Sequence, residues 1–206
     1  MENDRSDEGK IKKINCNIKK SYDLEMHFIN VGRGDAILIR TADKTIMIDG
    51  GYYSTKNTVL SYIKALGVTK FDALIGSHMH NDHIQAHGPI IDNYPVDKVY
   101  YPQDIHTCNP TYCNSLAQKY VLDSIKKNKI PQIIIKPGDH LEFGEMIIDV
   151  IAPLHTKTTG QMHNAENYNS SNFILTYGKN RIMFTGDYVQ SNNLLKKYGT
   201  DYFDID

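Results

Sequence analysis

The sequence predicts an α/β (α+β) protein in which two β-sheets pack face to face with helices on the outside. Three features point there. Short apolar strands separated by glycine-containing turns fill both the opening and the closing parts of the chain. Between them, apolar residues at helical spacing alternate with short, fully apolar strands. The 206 residues are 40% hydrophobic, with 14 Tyr and 6 Phe, which is enough apolar area for one sizeable core.

Residues 1–22 are polar, rich in Lys and Asn, and without periodicity, so they read as a flexible tail ahead of a single domain at 23–206. Residues 24–29, 36–40 and 45–48 read as strands of an antiparallel meander. The first turn, Asn30-Val31-Gly32-Arg33-Gly34-Asp35, has two glycines that permit a tight connection, and Asp49-Gly50-Gly51 ends the third strand. In residues 58–66, Val59, Leu60, Ile63 and Leu66 share one helical face, with Gly67 as the cap. A buried strand at 71–76, a His-rich loop at 77–83, a helix at 87–91 and a strand at 98–101 complete a βαβαβ order. Residues 116–127 form an amphipathic helix, with Leu116, Tyr120, Val121 and Ile125 on one side. Strands at 131–135, 141–143, 146–151, 173–177 and 181–185 make the second half mostly β, and a helix near 192–197 follows.

The charge balance, 23 Lys+Arg against 24 Asp+Glu, gives no electrostatic reason to expect nucleic acid or an anionic membrane as a bulk partner. No apolar run is long enough to span a bilayer. Three cysteines cannot close a disulfide framework, and the first 20 residues lack the apolar stretch of a secretory signal, so the expected setting is the cytoplasm.

The chemistry concentrates in Ser77-His78-Met79-His80-Asn81-Asp82-His83, where three of the nine histidines and an aspartate follow a buried strand within a few residues. Alternate residues of an extended segment point the same way, so His78 and His80 can grip one cation while Asp82 and His83 turn toward a second. Imidazole and carboxylate suit Zn2+, Mn2+ or Fe2+, and the absence of a thiolate from the cluster argues against a closed structural zinc site. The competing account is a set of solvated loop histidines at a sheet edge. Asp187, in Phe184-Thr185-Gly186-Asp187 at the end of another apolar strand, is placed to bridge two cations.

His27 to Ala36 (His-Phe-Ile-Asn-Val-Gly-Arg-Gly-Asp-Ala), Ile46-Met47-Ile48-Asp49-Gly50-Gly51, the cluster at 78–83, Asn169-Ser170-Ser171-Asn172-Phe173 and Thr185-Gly186-Asp187 occur in that order. On these landmarks the sequence resembles the metallo-β-lactamase superfamily, and within it the soluble hydrolase domain of ComEC-type DNA-uptake competence proteins. The resemblance implies a four-layer αββα sandwich, two metals in the cleft between the sheets, and hydrolysis of an ester, often a phosphodiester. Its metal ligands would be His78, His80, Asp82, His83 and Asp187. Asn30, Arg33 and Gln85-Ala86-His87 depart from the family pattern. The resemblance also implies a terminal His-His-Gly loop beyond 202–206, so the domain is expected to be truncated at its C-terminus, short of one ligand for the second metal, and prone to self-association through the uncovered sheet edge.

Weaker signals surround this cluster. Asp35 and Asp49 are candidates for carboxylates that orient the ligand histidines, against ordinary turn-forming Asp beside Gly. His155 and His163 in the loop at 153–171, or Asn169 through its carbonyl oxygen, are candidate replacement ligands, against solvated loop residues. His106, Cys108 and Cys113 are too few for a structural zinc site, Arg33-Gly34-Asp35 is a chance tripeptide, and His27, His87 and His140 read as packing or surface residues. The leading expectation is a metal-dependent hydrolase acting on a small-molecule or phosphodiester substrate, with Asp82 orienting the nucleophile. The alternative is a non-catalytic domain of the same fold that binds metal or a partner.

Overall fold

The computed structural model describes residues 23–102, 115–153 and 165–188. The tail at 1–22, the helix expected at 192–197, the residues at 202–206, and His106, Cys108, Cys113, His155 and His163 lie outside them.

The first sheet has six strands in sequence order, β1 (Glu25–Phe28), β2 (Ala36–Arg40), β3 (Thr45–Asp49), β4 (Ala73–Ile75), β5 (Val99–Pro102) and β6 (Gln132–Ile135). Short turns join β1, β2 and β3, so these pair antiparallel. The later strands pair parallel, and a parallel return needs a crossover. The crossovers carry α1 (Lys56–Ala65), then α2 (Asn81–Ile84) with α3 (His87–Asn93), then α4 (Ser115–Asn128). The second sheet is an antiparallel meander of β7 (His140–Phe143), β8 (Met146–Ala152), β9 (Asn172–Tyr177) and β10 (Asn180–Phe184). The strand expected at 131–135 joins the first sheet, because α4 returns it alongside β5 with Gln132 opposite Val99. Two short helices, α2 and α5 (Ala165–Tyr168), lie in segments whose polarity reads as loop.

Strand alternation divides the core. Ile46 and Ile48 of β3 face the second sheet, where Phe143, Ile148, Phe173 and Leu175 meet them, whereas Met47 between them faces Val59 and Ile63 of α1. Tyr100 meets Phe143 edge to face across the sheets, with ring centroids 6.0 Å apart. Each fully buried side chain of this kind contributes about 1.5–3 kcal/mol, so two clusters meeting on one sheet hold it rigidly from both faces. No helix among the described residues is long and apolar enough to cross a membrane.

The parallel strands β3 and β4 run into Asp49 and into Gly76-Ser77, and ligand-binding loops in sheets of this kind gather at such carboxyl ends. Gly76 is required there, since a β-carbon on it would stand 2.5 Å from Cδ1 of the buried Tyr101. The second sheet reaches the same place through the turn after β10, and the Ser171 N–H donates to the Ser77 carbonyl at 2.8 Å.

Candidate metal centre

Asp49 is the pivot of the site. It is buried at the end of β3 with φ of +54°, a left-handed value that Asp tolerates better than most residues. One carboxylate oxygen, Oδ1, accepts the Ser77 N–H at 2.8 Å, and the other, Oδ2, accepts the Ser77 hydroxyl at 2.7 Å and lies 2.8 Å from His83 Nδ1. Because the Ser77 hydroxyl gives its single proton to Asp49, it must accept from His78 Nδ1, 3.0 Å away. One buried carboxylate thus fixes the Nδ1–H tautomer of two histidines, directly for His83 and through Ser77 for His78, and turns both Nε2 atoms the other way. The His83 carbonyl accepts the Gly51 N–H at 3.0 Å, which ties α2 to the turn after β3.

The freed nitrogens converge. His78 Nε2 is 3.0 Å from His80 Nδ1 and 3.9 Å from Asp187 Oδ2, and His83 Nε2 is 3.3 Å from Asp187 Oδ1. The rings of His80 and His83 lie 4.7 and 4.2 Å from that of His78. Asp187 is held by Asn167 of α5, whose Nδ2 donates to Oδ2 at 3.4 Å. The preceding Gly186 has φ of +48°, and a β-carbon on it would stand 2.8 Å from Ser77 Oγ, so the turn presses directly on the residue that orients His78.

Electrostatics distinguishes the rings. Burial pushes His78 well below the ordinary histidine value, and the neighbouring His83 charge pushes it further. For His83, burial favours the neutral ring, but the Asp49 carboxylate outweighs it and raises His83 to about 9. Asp49 lies below the usual carboxylate range, because the attraction of His83 overcomes its burial. Asp35 is pushed up by burial and by the negative charge of Asp49.

Two sets of donor atoms lie within 4.8 Å of one another, His78 with His80 and Asp187, and Asp35 with Asp49 and His83. His83 Nε2 is buried and makes no hydrogen bond. An orphaned buried nitrogen beside a carboxylate, with two more imidazoles converging on the same carboxylate, fits a borderline divalent cation. Asp82 stands in neither set, and its Oδ2 faces the Arg33 Nε at 3.3 Å. The extended reading holds only up to His80; α2 starts at Asn81, so Asp82 and His83 are successive helical residues about 100° apart, with His83 facing Asp49 and Asp187 and Asp82 facing Arg33. Asn169 is buried just after α5. Two contributors, Ser77 and Asn167, are not among the residues expected at the site; Ser77, directly before the histidines, carries a local signal and Asn167 carries none. Arg33 is marked in the sequence only as a departure from the family pattern.

The profile of the metallo-beta-lactamase superfamily matches residues 29–204. Among solved structures, a putative metallo-beta-lactamase from Thermotoga maritima is 19% identical with a TM-score of 0.61, over 86% of this chain and 93% of that one. A Cronobacter sakazakii metallo-beta-lactamase with a HARLDQ motif is 13% identical with a TM-score of 0.55, over 81% of this chain and 62% of that one. BJP-1, a subclass B3 metallo-beta-lactamase of Bradyrhizobium japonicum, is 11% identical with a TM-score of 0.53, over 85% and 71%. Likeness at these identities speaks for the fold, and the chain spans about six tenths of the Cronobacter protein's length. No curated protein matches the chain.

Proposed function

The chain belongs to the metallo-β-lactamase superfamily, and on that premise we propose that it is a metal-dependent hydrolase of esters, with a phosphodiester or related small molecule as substrate. The observation that carries the proposal is the convergence of His78 Nε2 and His83 Nε2 on the two oxygens of Asp187, with His80 Nδ1 3.0 Å from His78 Nε2 in the same donor set. His78, His80 and Asp187 would hold Zn2+, with Mn2+ or Fe2+ as alternatives, and His83, whose Nε2 is 3.3 Å from Asp187 Oδ1, would serve a second ion. A cation bound there supplies an acidified water and polarises the ester oxygen.

The chain's own residues do the rest. Asp49 and Ser77 keep the histidines in one tautomer, which spares them reorientation when the site is loaded. Asp82, near the start of α2 and close enough to act on both His83 and Asp35, orients the attacking water and takes up its proton. Kinship with the hydrolase domain of ComEC-type competence proteins and a cytoplasmic setting belong to the same proposal; they are supported by the order of the sequence landmarks and by the three cysteines.

The test is turnover of bis-p-nitrophenyl phosphate by wild type and by His80→Ala, each after chelation and after addition of Zn2+ or Mn2+. Turnover that needs the metal and is abolished in His80→Ala is expected. A wild type that takes up metal yet hydrolyses no ester would favour the non-catalytic, metal-binding alternative.

A further inference from the structure

We propose that Arg33 is the residue that selects an anionic, phosphate-bearing substrate at this site. The inference rests on the hydrolase reading and adds to it the substrate's charge and the group that meets it.

Arg33 stands between two glycines in left-handed conformations, Gly32 at φ of +80° and Gly34 at +86°. The Asn30 side chain accepts the Gly32 N–H at 3.0 Å and braces the turn from one side. On the other side the turn lies directly against α2, because a β-carbon on Gly34 would stand 1.8 Å from the Asp82 carbonyl oxygen. A backbone clamped in this way fixes where residue 33 leaves the chain. Its side chain is 82% exposed, and the guanidinium nonetheless reaches Asp82, with Nε 3.3 Å from Oδ2. Arg33 therefore sits at the mouth of the site, beside the carboxylate proposed to handle the water.

The guanidinium is only partly engaged. Its Nε faces Asp82, whereas no ion pair among the described residues uses the two terminal amino groups. Those are the paired donors that match two oxygens of a phosphate. The surroundings explain why the charge is needed. Asp35, Asp49, Asp82 and Asp187 all act on one another or on His83, and so much negative charge repels an anionic substrate. Cations held by the ligand groups offset part of it, and Arg33 is then free to hold the anion by its exposed edge. A neutral ester has nothing for that edge to grip, so the discrimination falls on charge rather than on shape.

Binding and turnover test this separately, on the metal-loaded full chain. Calorimetric titration with inorganic phosphate should show binding to wild type, at least tenfold weaker binding to Arg33→Ala, and partial recovery in Arg33→Lys, which keeps the charge but loses the fork. In turnover, Arg33→Ala should raise the ratio of KM for bis-p-nitrophenyl phosphate to KM for the neutral p-nitrophenyl acetate about tenfold. Equal phosphate affinity in wild type and Arg33→Ala would overturn the proposal, as would a wild type that binds no phosphate at millimolar concentration. Phosphate binding that depends on Arg33 in a protein that turns over neither ester would support this assignment while overturning the hydrolase reading, so the two failures are distinct.

Discussion

At the scale of single residues the site turns on Asp49, which touches no proposed substrate yet orients two ligand histidines. Asp49→Asn keeps the size but removes the charge that holds His83 at about 9 and supplies a donor where an acceptor is needed. Metal affinity should fall 10- to 100-fold, measured by competition with a chromophoric chelator, as it does when a supporting group behind a ligand histidine is removed. The metal-free variant should also lose stability, because breaking a buried charged pair from one side costs about 3–5 kcal/mol. His83 predicts the pH dependence of metal uptake. Its Nδ1 is committed to Asp49, so metal and proton compete for Nε2, and the competition persists up to about pH 9. Affinity should keep rising between about pH 7.5 and 8.5, where an ordinary histidine ligand has already lost its proton. A plateau from about pH 7.5 upward would show that Asp49 does not hold the proton on His83.

At the scale of elements the strands and long helices are legible in the sequence, because burial on one or both faces writes itself as alternation or as an apolar run. Residues 36–40 and 45–48 are read correctly for that reason, and they coincide with β2 and β3 to within a residue. The helix α2 is not legible. It is four residues long, polar in composition, and exists because the turns around it supply its hydrogen bonds, including those from Gly50 and Gly51 to the His83 carbonyl. Missing it hides the helical step that turns Asp82 toward Arg33 and His83 toward Asp49 and Asp187. Likewise the convergence of Asp187 on the histidines is hinted at by its strand-end position, whereas the latch from Asn167 and the pressure of Gly186 on Ser77 are tertiary and leave no local trace. The glycine turn before β2 yields a paired prediction. Gly32→Ala, with φ of +80° and open space around it, should cost about 1–2 kcal/mol from backbone strain alone. Gly34→Ala, whose β-carbon would collide with the Asp82 carbonyl, should cost at least about 3 kcal/mol, lowering Tm by roughly 6–12 °C, and should weaken metal uptake because α2 must move. Equal losses from the two substitutions would mean that the turn does not pack on α2.

At the scale of the whole molecule, the buried histidines set the pH range over which the metal-free fold is stable. His87 is fully buried, with Nδ1 2.8 Å from the Tyr101 hydroxyl, and burial lowers it to about 4. An unfolded His87 takes up its proton near pH 6.5, so between 6.5 and 4 the unfolded chain binds more protons than the folded one, and about 3 kcal/mol of stability is lost as the pH is lowered through that range. His83 acts in the opposite sense, because its raised value contributes stability that is complete below pH 6.5 and is lost as pH rises through 9. Urea unfolding in chelator should therefore give a maximum near pH 6.5–7, and His87→Gln should lessen the fall on the acid side without changing the alkaline one. The anomalous difference map of a zinc-soaked crystal decides whether the end of the first sheet and the turn after β10 assemble one metal centre. A peak is expected about 2.0–2.2 Å from His78 Nε2, His80 Nδ1 and an Asp187 oxygen. A zinc peak elsewhere on the molecule, with these three side chains bare, would contradict it.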